Sequence, residues 1–181
     1  VAEQTDLELV AACQTGSRDA FRALFEAYKD RVYSIALRYS GDPGAAMDLT
    51  QDVFLKLLAR IGDFRGDSRF ETWLYRLVVN CCLDYRRSRR RLLPLAELFS
   101  PERLTARVAR SQVSGRVQGA IANLAPELRL TVALRYTQGL SYEEIAEAFG
   151  CSKGTVASRL HRAHRELERR LAPLNLEVWN E

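Results

Sequence analysis

Apolar residues recur at three- and four-residue steps along most of this chain, and no stretch alternates with the period of two that a strand requires. The pattern predicts helices throughout. Phe21, Leu24, Phe25, Tyr28, Val32, Ile35, Ala36 and Tyr39 mark a long amphipathic helix over 18–40, stopped by Gly41. Asp42 followed by Pro43 reads as an N-cap and first helical position, opening a helix to Ile61 whose stripe is Leu49, Val53, Phe54, Leu57, Leu58 and Ile61. Ahead of these, Thr5 and Glu8 are spaced as a capping box for a short helix that Gly16 closes. Ser68 and Glu71 have the same spacing, and the helix they predict runs to about Arg91 with Phe70, Leu74, Leu77, Cys81 and Tyr85 on one side.

The pattern then breaks. Over 93–112 Pro94 and Pro101 interrupt scattered Leu, Ala, Arg and Ser, which predicts a flexible linker between two units, because ordered loops of that length are uncommon inside a compact domain. Helical spacing resumes at about Val113. Pro126 opens a further helix that Gly139 stops, Ser141 with Glu144 caps a short one ending at Gly150, and Ser152 caps a last long one reaching about Leu171. The expected organisation is all-α: a first module over 1–92, the linker 93–112, a second module over 113–172 and a tail over 173–181. In the tail, Leu176, Val178 and Trp179 are available to dock on another surface.

Composition narrows the class. With 47% apolar and 28% charged residues the 181-residue chain is globular rather than disordered. No apolar run approaches the roughly 20 residues that cross a bilayer, and no signal-peptide pattern opens the chain, so the expected location is cytoplasmic. Basic residues outnumber acidic ones by 27 to 23 and are almost all arginine; the lysines are Lys29, Lys56 and Lys153. Arginine suits bidentate contact with phosphates and guanine edges, although a GC-rich genome would also raise its share. Basic zones over 62–92 and after 151 alternate with acidic ones over 1–61 and 121–150, a pattern suited to a polyanion touched at two separated places. Cys13, Cys81, Cys82 and Cys151 lack C-x-x-C spacing, and His161 and His164 are the only histidines, so the expectation is reduced thiols, no metal and no cofactor.

Tyr142 to Leu160 has the anatomy of a helix-turn-helix. Ile145, Ala146 and Phe149 lie on the first helix, Gly150, Cys151 and Ser152 form the turn, and Val156, Leu160, Ala163, Leu167 and Leu171 define the buried side of the second. The opposite side carries Lys153, Thr155, Ser158, Arg159, Arg162 and Arg165, hydroxyls and free amides first and arginines after, as a major-groove reading helix requires. A helical hairpin with a solvated basic side has the same pattern.

In the first module, Arg76, Asn80, Asp84, Arg87 and Arg91 fall on one side of their helix, and Arg86, Arg89 and Arg90 widen its end into a cationic surface. Asn and Arg read base edges while such a cluster holds phosphates; a helix end simply favouring cations is the alternative. Trp73 is expected in the core beside Leu74 and Leu77, and Phe64 is a candidate platform for a base. Asp48, Gln51, Asp52 and Lys56 occupy the side of the preceding helix away from its apolar stripe, an acidic face better suited to a protein than to DNA.

The run Asp48-Leu49-Thr50-Gln51-Asp52-Val53-Phe54, the Phe64-Arg65-Gly66 loop, Phe70 through Leu77 leading to Asn80 and Asp84, and Gly154-Thr155-Val156 with Ser158-Arg159-Leu160 together resemble bacterial extracytoplasmic-function sigma factors. The likeness covers about 7–171. It implies a sigma-2 helical bundle and a sigma-4 helix-turn-helix domain joined by the linker, in a protein that binds core RNA polymerase and directs promoter-specific transcription initiation without bond chemistry of its own. It implies that Asp48, Gln51 and Asp52 meet the polymerase clamp coiled coil, with the flap as a second polymerase contact. The −10 element would be recognised and opened by Phe64, Arg65, Gly66, Asp67, Ser68, Arg76, Asn80, Asp84 and Arg87. The −35 element would be read by Ser152, Lys153, Gly154, Thr155, Ser158, Arg159 and Arg162. The linker would thread toward the polymerase active-site and RNA-exit channels. Promoter DNA and an anti-sigma factor, often tethered to the inner membrane, are the further partners implied, with no small-molecule substrate. Ala157 departs from the family pattern where many members carry a basic residue, and Cys81-Cys82 departs on the −10 helix.

Two other readings remain at this point. A helix-turn-helix repressor or activator would need a ligand pocket or dimer seam in the first module, which nothing in the sequence signals. A nuclease would need clustered acids for a metal; Asp48 with Asp52 and Asp63 with Asp67 are the pairs present, neither with a histidine nearby.

Overall fold

The computed structural model describes residues 2–92 and 112–172, and within them the side chains of 5–88 and 115–172. Residues 93–111 of the expected linker, the tail and the side chains of Arg89, Arg90 and Arg91 lie outside the described residues. The fold is all-α among the described residues: α1 (Ala2–Gln14), α2 (Arg18–Ser40), α3 (Pro43–Arg60) with a 3-10 turn over Ile61–Asp63, α4 (Phe70–Leu92), α5 (Gln112–Ala122), α6 (Pro126–Thr137), α7 (Tyr142–Phe149) and α8 (Lys153–Leu171).

The local signals act where they are strongest. Ser17 Oγ accepts the Ala20 amide and Asp42 Oδ1 the Ala45 amide at 2.8 Å, while Gly41, at φ 71°, turns the chain out of α2. Such caps are each worth about 1 kcal/mol. Two expected starts are displaced. α1 opens at Ala2, ahead of Thr5. α4 opens at Phe70, its first turn closed by the Trp73 amide on Arg69 O at 3.1 Å, and no Ser68–Glu71 capping box forms. The reason is a competing claim on Glu71, whose Oε1 pairs with Arg31 of α2 at 2.5 Å and accepts the Tyr75 hydroxyl at 2.8 Å.

α1, α2, α3 and α4 pack as a bundle around Leu24, Val32, Ile35, Leu49, Val53, Leu57, Leu74 and Val78. Trp73 packs against this core as expected, and Phe64, 7% exposed, sits edge-on to Phe70 and Trp73 at ring-centroid distances of 5.7 and 5.5 Å. Leu58 departs from its expected place in the α3 stripe and is 55% exposed. In the second half, α6 and α7 pack on α8 around Leu128, Leu130, Leu134, Ile145, Val156, Leu160 and Ala163. The two halves share one continuous buried cluster, with α4 against α7 and α2 against α6. Arg129 of α6 joins them: its guanidinium donates to Tyr39 O in the last turn of α2 at 2.5 Å, to Leu124 O at 3.0 Å, and to Ala122 O.

Candidate nucleic-acid interface

The helix-turn-helix is assembled by local hydrogen bonds. At the start of α7, Ser141 Oγ accepts the Glu144 amide at 3.2 Å and Glu144 Oε2 accepts the Ser141 amide at 2.8 Å, a complete capping box. Gly150, at φ 63°, ends α7 in the left-handed region, its amide bonded to Ala146 O and Glu147 O, and this reversal lets α8 start at Lys153, three residues later. Ser152 caps α8 by accepting the Thr155 amide at 3.2 Å. Val156, Leu160 and Ala163 are buried, so the rotation of α8 is fixed.

That rotation decides what faces outward. Ser152, Lys153, Gly154, Ser158 and Arg162 are exposed and Thr155 is half-buried. Ser158 Oγ donates to Gly154 O at 2.8 Å, and Lys153 Nζ pairs with Glu143 Oε1 at 2.7 Å, which keeps the Glu143 carboxyl below its usual range. Arg159 behaves differently. It is half-buried, its guanidinium carbon lies 4.7 Å from the centroid of the Phe149 ring, and Nη1 is enclosed without a hydrogen-bond partner. Phe149 is thus a residue of this site that sequence reasoning placed only in the hairpin core; its position directly before the Gly150 turn was the available signal.

In the first module, Arg76, Asn80, Asp84 and Arg87 are exposed on one side of α4, as their spacing requires. Their partners differ. Asp84 is held between Lys56 of α3 at 3.6 Å and Arg87 at 3.4 Å. Arg76 donates through Nε and Nη2 to Glu147 O of α7 at 3.3 and 3.2 Å. Asn80 is exposed with the row. Arg65, Gly66 and Asp67 form an exposed turn with Gly66 at φ 79°, and Ser68 is half-buried. The loop is anchored at its base by Phe64 and by Gln14 Nε2, which donates to Ile61 O and Phe64 O, both at 2.9 Å. Phe64 is therefore placed as the loop's anchor in the core, not as an open platform for a base.

On α3, Asp48, Gln51 and Asp52 are exposed together. Met47, Leu55 and Leu58, 66%, 57% and 55% exposed, lie on the same side at helical spacing, an apolar strip that the sequence pattern hid because Leu58 fitted the buried stripe. Cys81 and Cys82 are buried and burial pushes both thiols up, away from the reactive thiolate form. Among the described residues no group of three or more His, Cys, Asp or Glu could hold a metal ion. No described helix is long and apolar enough to cross a membrane.

Comparison with known proteins agrees with this layout. Residues 24–92 match the family described as Sigma-70 region 2, and 114–167 match Sigma-70, region 4. The chain is 33% identical over 195 residues to the RNA polymerase sigma-H factor of Pseudomonas aeruginosa, covering 98% of this chain and 100% of that one. It is 36% identical over 189 residues to the ECF RNA polymerase sigma-E factor of Escherichia coli K12, covering 94% and 96%. Among solved structures, CnrH in complex with the cytosolic domain of CnrY superimposes with a TM-score of 0.71 at 25% identity, covering 93% of this chain and 98% of that one. The sigma factor RpoE bound to the anti-sigma factor NepR from Bartonella quintana gives 0.65 at 22%, covering 86% and 98%, and shares the fold. With both sigma-70 regions present in order and relatives a third identical along the whole length, the chain belongs to the extracytoplasmic-function sigma factors, initiation factors that bind core RNA polymerase and direct it to promoters rather than catalysing a reaction.

Proposed function

We propose that the residues named above divide the work of initiation among three faces. The outward side of α8, with Ser152, Lys153, Gly154, Thr155, Ser158, Arg159 and Arg162, enters the major groove of a −35 element; the Ser152 cap presents the helix N-terminus to a phosphate and the arginines reach base edges. The loop of Arg65, Gly66, Asp67 and Ser68, anchored by Phe64, and the α4 row of Arg76, Asn80, Asp84 and Arg87 capture the −10 element. Binding there offsets the few kcal/mol needed to unstack and extrude a base. Asp48, Gln51 and Asp52, extended by Met47, Leu55 and Leu58, dock on the polymerase clamp coiled coil, where an acidic rim around apolar side chains suits a protein partner better than DNA.

The observation that carries this reading is the exposed polar side of α8, fixed in rotation by Val156, Leu160 and Ala163, in the same chain as the exposed α4 row. The solved structure of CnrH in complex with the cytosolic domain of CnrY, alike over almost the whole chain, supports a protein partner here as well, which we read as an anti-sigma factor. A cytoplasmic location, at the inner membrane when such a partner is tethered there, follows from these roles. Run-off transcription with purified core polymerase on a promoter library tests the reading: defined start sites that require this chain are expected, and no chain-dependent transcript would refute it.

A further inference from the structure

The outward side of α8 continues past Arg162. Thr155, Ser158, Arg162, Arg165 and Arg169 follow one another at steps of three, four, three and four, which keeps them on one side of the helix. The three arginines are exposed, and among the described residues none of them has a carboxylate or carbonyl partner. Arg170 differs: it pairs with Glu166 Oε2 at 3.8 Å and donates to Asn123 O at 3.3 Å. Arg162, Arg165 and Arg169 line an open trough of about 510 Å³ together with Glu166, Glu168 and Ala172. The helix dipole favours cations in a last turn, which accounts equally for Arg169 and Arg170. It does not account for Arg165, a turn earlier and in line with Arg162.

We propose that Arg165 and Arg169 form a second DNA contact on α8, gripping the phosphodiester backbone of the duplex just outside the −35 element. The proposal rests on the reading of α8 as the −35 helix. With 19 residues α8 is about 28 Å long, whereas a major groove is about 12 Å wide. A helix that reads bases with its N-terminal residues has used that width by about Arg162. Arg165 and Arg169 then lie about 5 and about 10 Å farther along the axis, past the groove wall. What faces them there is backbone, and a planar guanidinium with no other partner suits a phosphate. The chain thus holds more duplex than it reads, and the added affinity carries no sequence preference.

The test uses the full chain and a fluorescein-labelled duplex selected by it from a randomised library, so that the selected bases define the element. The same duplex is also made with neutral methylphosphonate linkages in place of the phosphodiesters flanking those bases. Neutral flanks are expected to weaken the parent chain about tenfold at about 0.1 M salt. The double variant Arg165→Ala, Arg169→Ala should bind the ordinary duplex more weakly by a similar factor and lose nothing further on the neutral one, the coupling that a direct contact requires. Its plot of log affinity against log salt should be flatter by about two units, one for each phosphate. Arg165→Lys with Arg169→Lys keeps the charges and should keep most of the salt slope. Arg170→Ala removes the same charge from the other side of the helix and should respond to neutral flanks as the parent does. Indifference of the parent to neutral flanks overturns the proposal. So does a double variant that still loses affinity on them, or an Arg170→Ala chain that no longer responds. Arg159→Ala with Arg162→Ala separates the two ideas: weaker binding by it beside indifference to the flanks defeats the backbone contact alone. A selection that yields no preferred sequence defeats the reading of α8, and the backbone contact with it.

Discussion

The guanidinium carbon of Arg159 lies over the Phe149 ring, 4.7 Å from its centroid, with one amine enclosed and without a partner. A long, flexible side chain at the edge of a reading helix is thereby held in one orientation before any DNA arrives, and the ordering cost falls on folding instead of binding.

Phe149→Leu should therefore weaken binding to a selected −35 duplex by about 0.5–1 kcal/mol, a two- to fivefold loss, with the salt dependence unchanged because no phosphate contact is removed. Arg162→Ala, in contrast, should flatten the plot of log affinity against log salt by about one unit if Arg162 neutralises one phosphate. Fluorescence anisotropy across a salt series checks both; equal slopes in the parent and Arg162→Ala would remove Arg162 from the phosphate contacts.

Glu144 supplies a pH dependence. The Ser141 amide, followed by the Ser141 hydroxyl and Arg69, holds its carboxyl below the usual glutamate range. A depressed carboxylate stabilises the fold above its unfolded pKa, and that contribution disappears as pH falls through the folded value. The stability advantage of the parent chain over Glu144→Gln should be present at pH 7 and vanish on acidification below the ordinary glutamate value of 4.5. Urea titrations of both proteins from pH 7 to 3 measure it; an advantage that persists at pH 3 would contradict the assignment.

The apolar strip on α3 predicts a separation of folding from assembly. Leu58→Asp should leave the melting temperature within about 2 °C of the parent, since exposed positions contribute little to stability. It should lower affinity for core polymerase by roughly tenfold, as loss of a contact worth about 1.4 kcal/mol would. Asp52→Ala should act in the same direction. Differential scanning fluorimetry and a pull-down with core polymerase report the two quantities, and undiminished assembly by both variants would move the polymerase contact elsewhere.

Gly150 is the point on which the reading helix turns. Its φ of 63° costs a side-chain-bearing residue about 1–2 kcal/mol, although open space surrounds the position where a Cβ would stand. Gly150→Ala should lower stability by that amount through backbone strain alone, and Gly150→Asn by less, because Asn tolerates this region. Equal stability of all three chains in urea would show that the backbone relaxes there.

Periodicity alone was enough to determine that this chain is helical, where most of its helices lie and which side of α8 is buried, because those properties depend on neighbours three and four residues apart. The Ser141–Glu144 box and the Gly150 stop were legible for the same reason, as was the common side of Arg76, Asn80, Asp84 and Arg87. Tertiary structure decided what depended on residues far off in sequence. Glu71 abandons its expected cap because Arg31 and Tyr75 claim it, and Leu58 fits the α3 stripe by spacing yet faces outward because the bundle covers only part of that helix. Phe64 turns inward because Phe70 and Trp73 give it an aromatic seat, and the contact of Arg76 with Glu147, separated by 71 residues, has no local signature. A helical repeat records which side of a helix is apolar; what comes to lie against that side is set by how the whole chain packs.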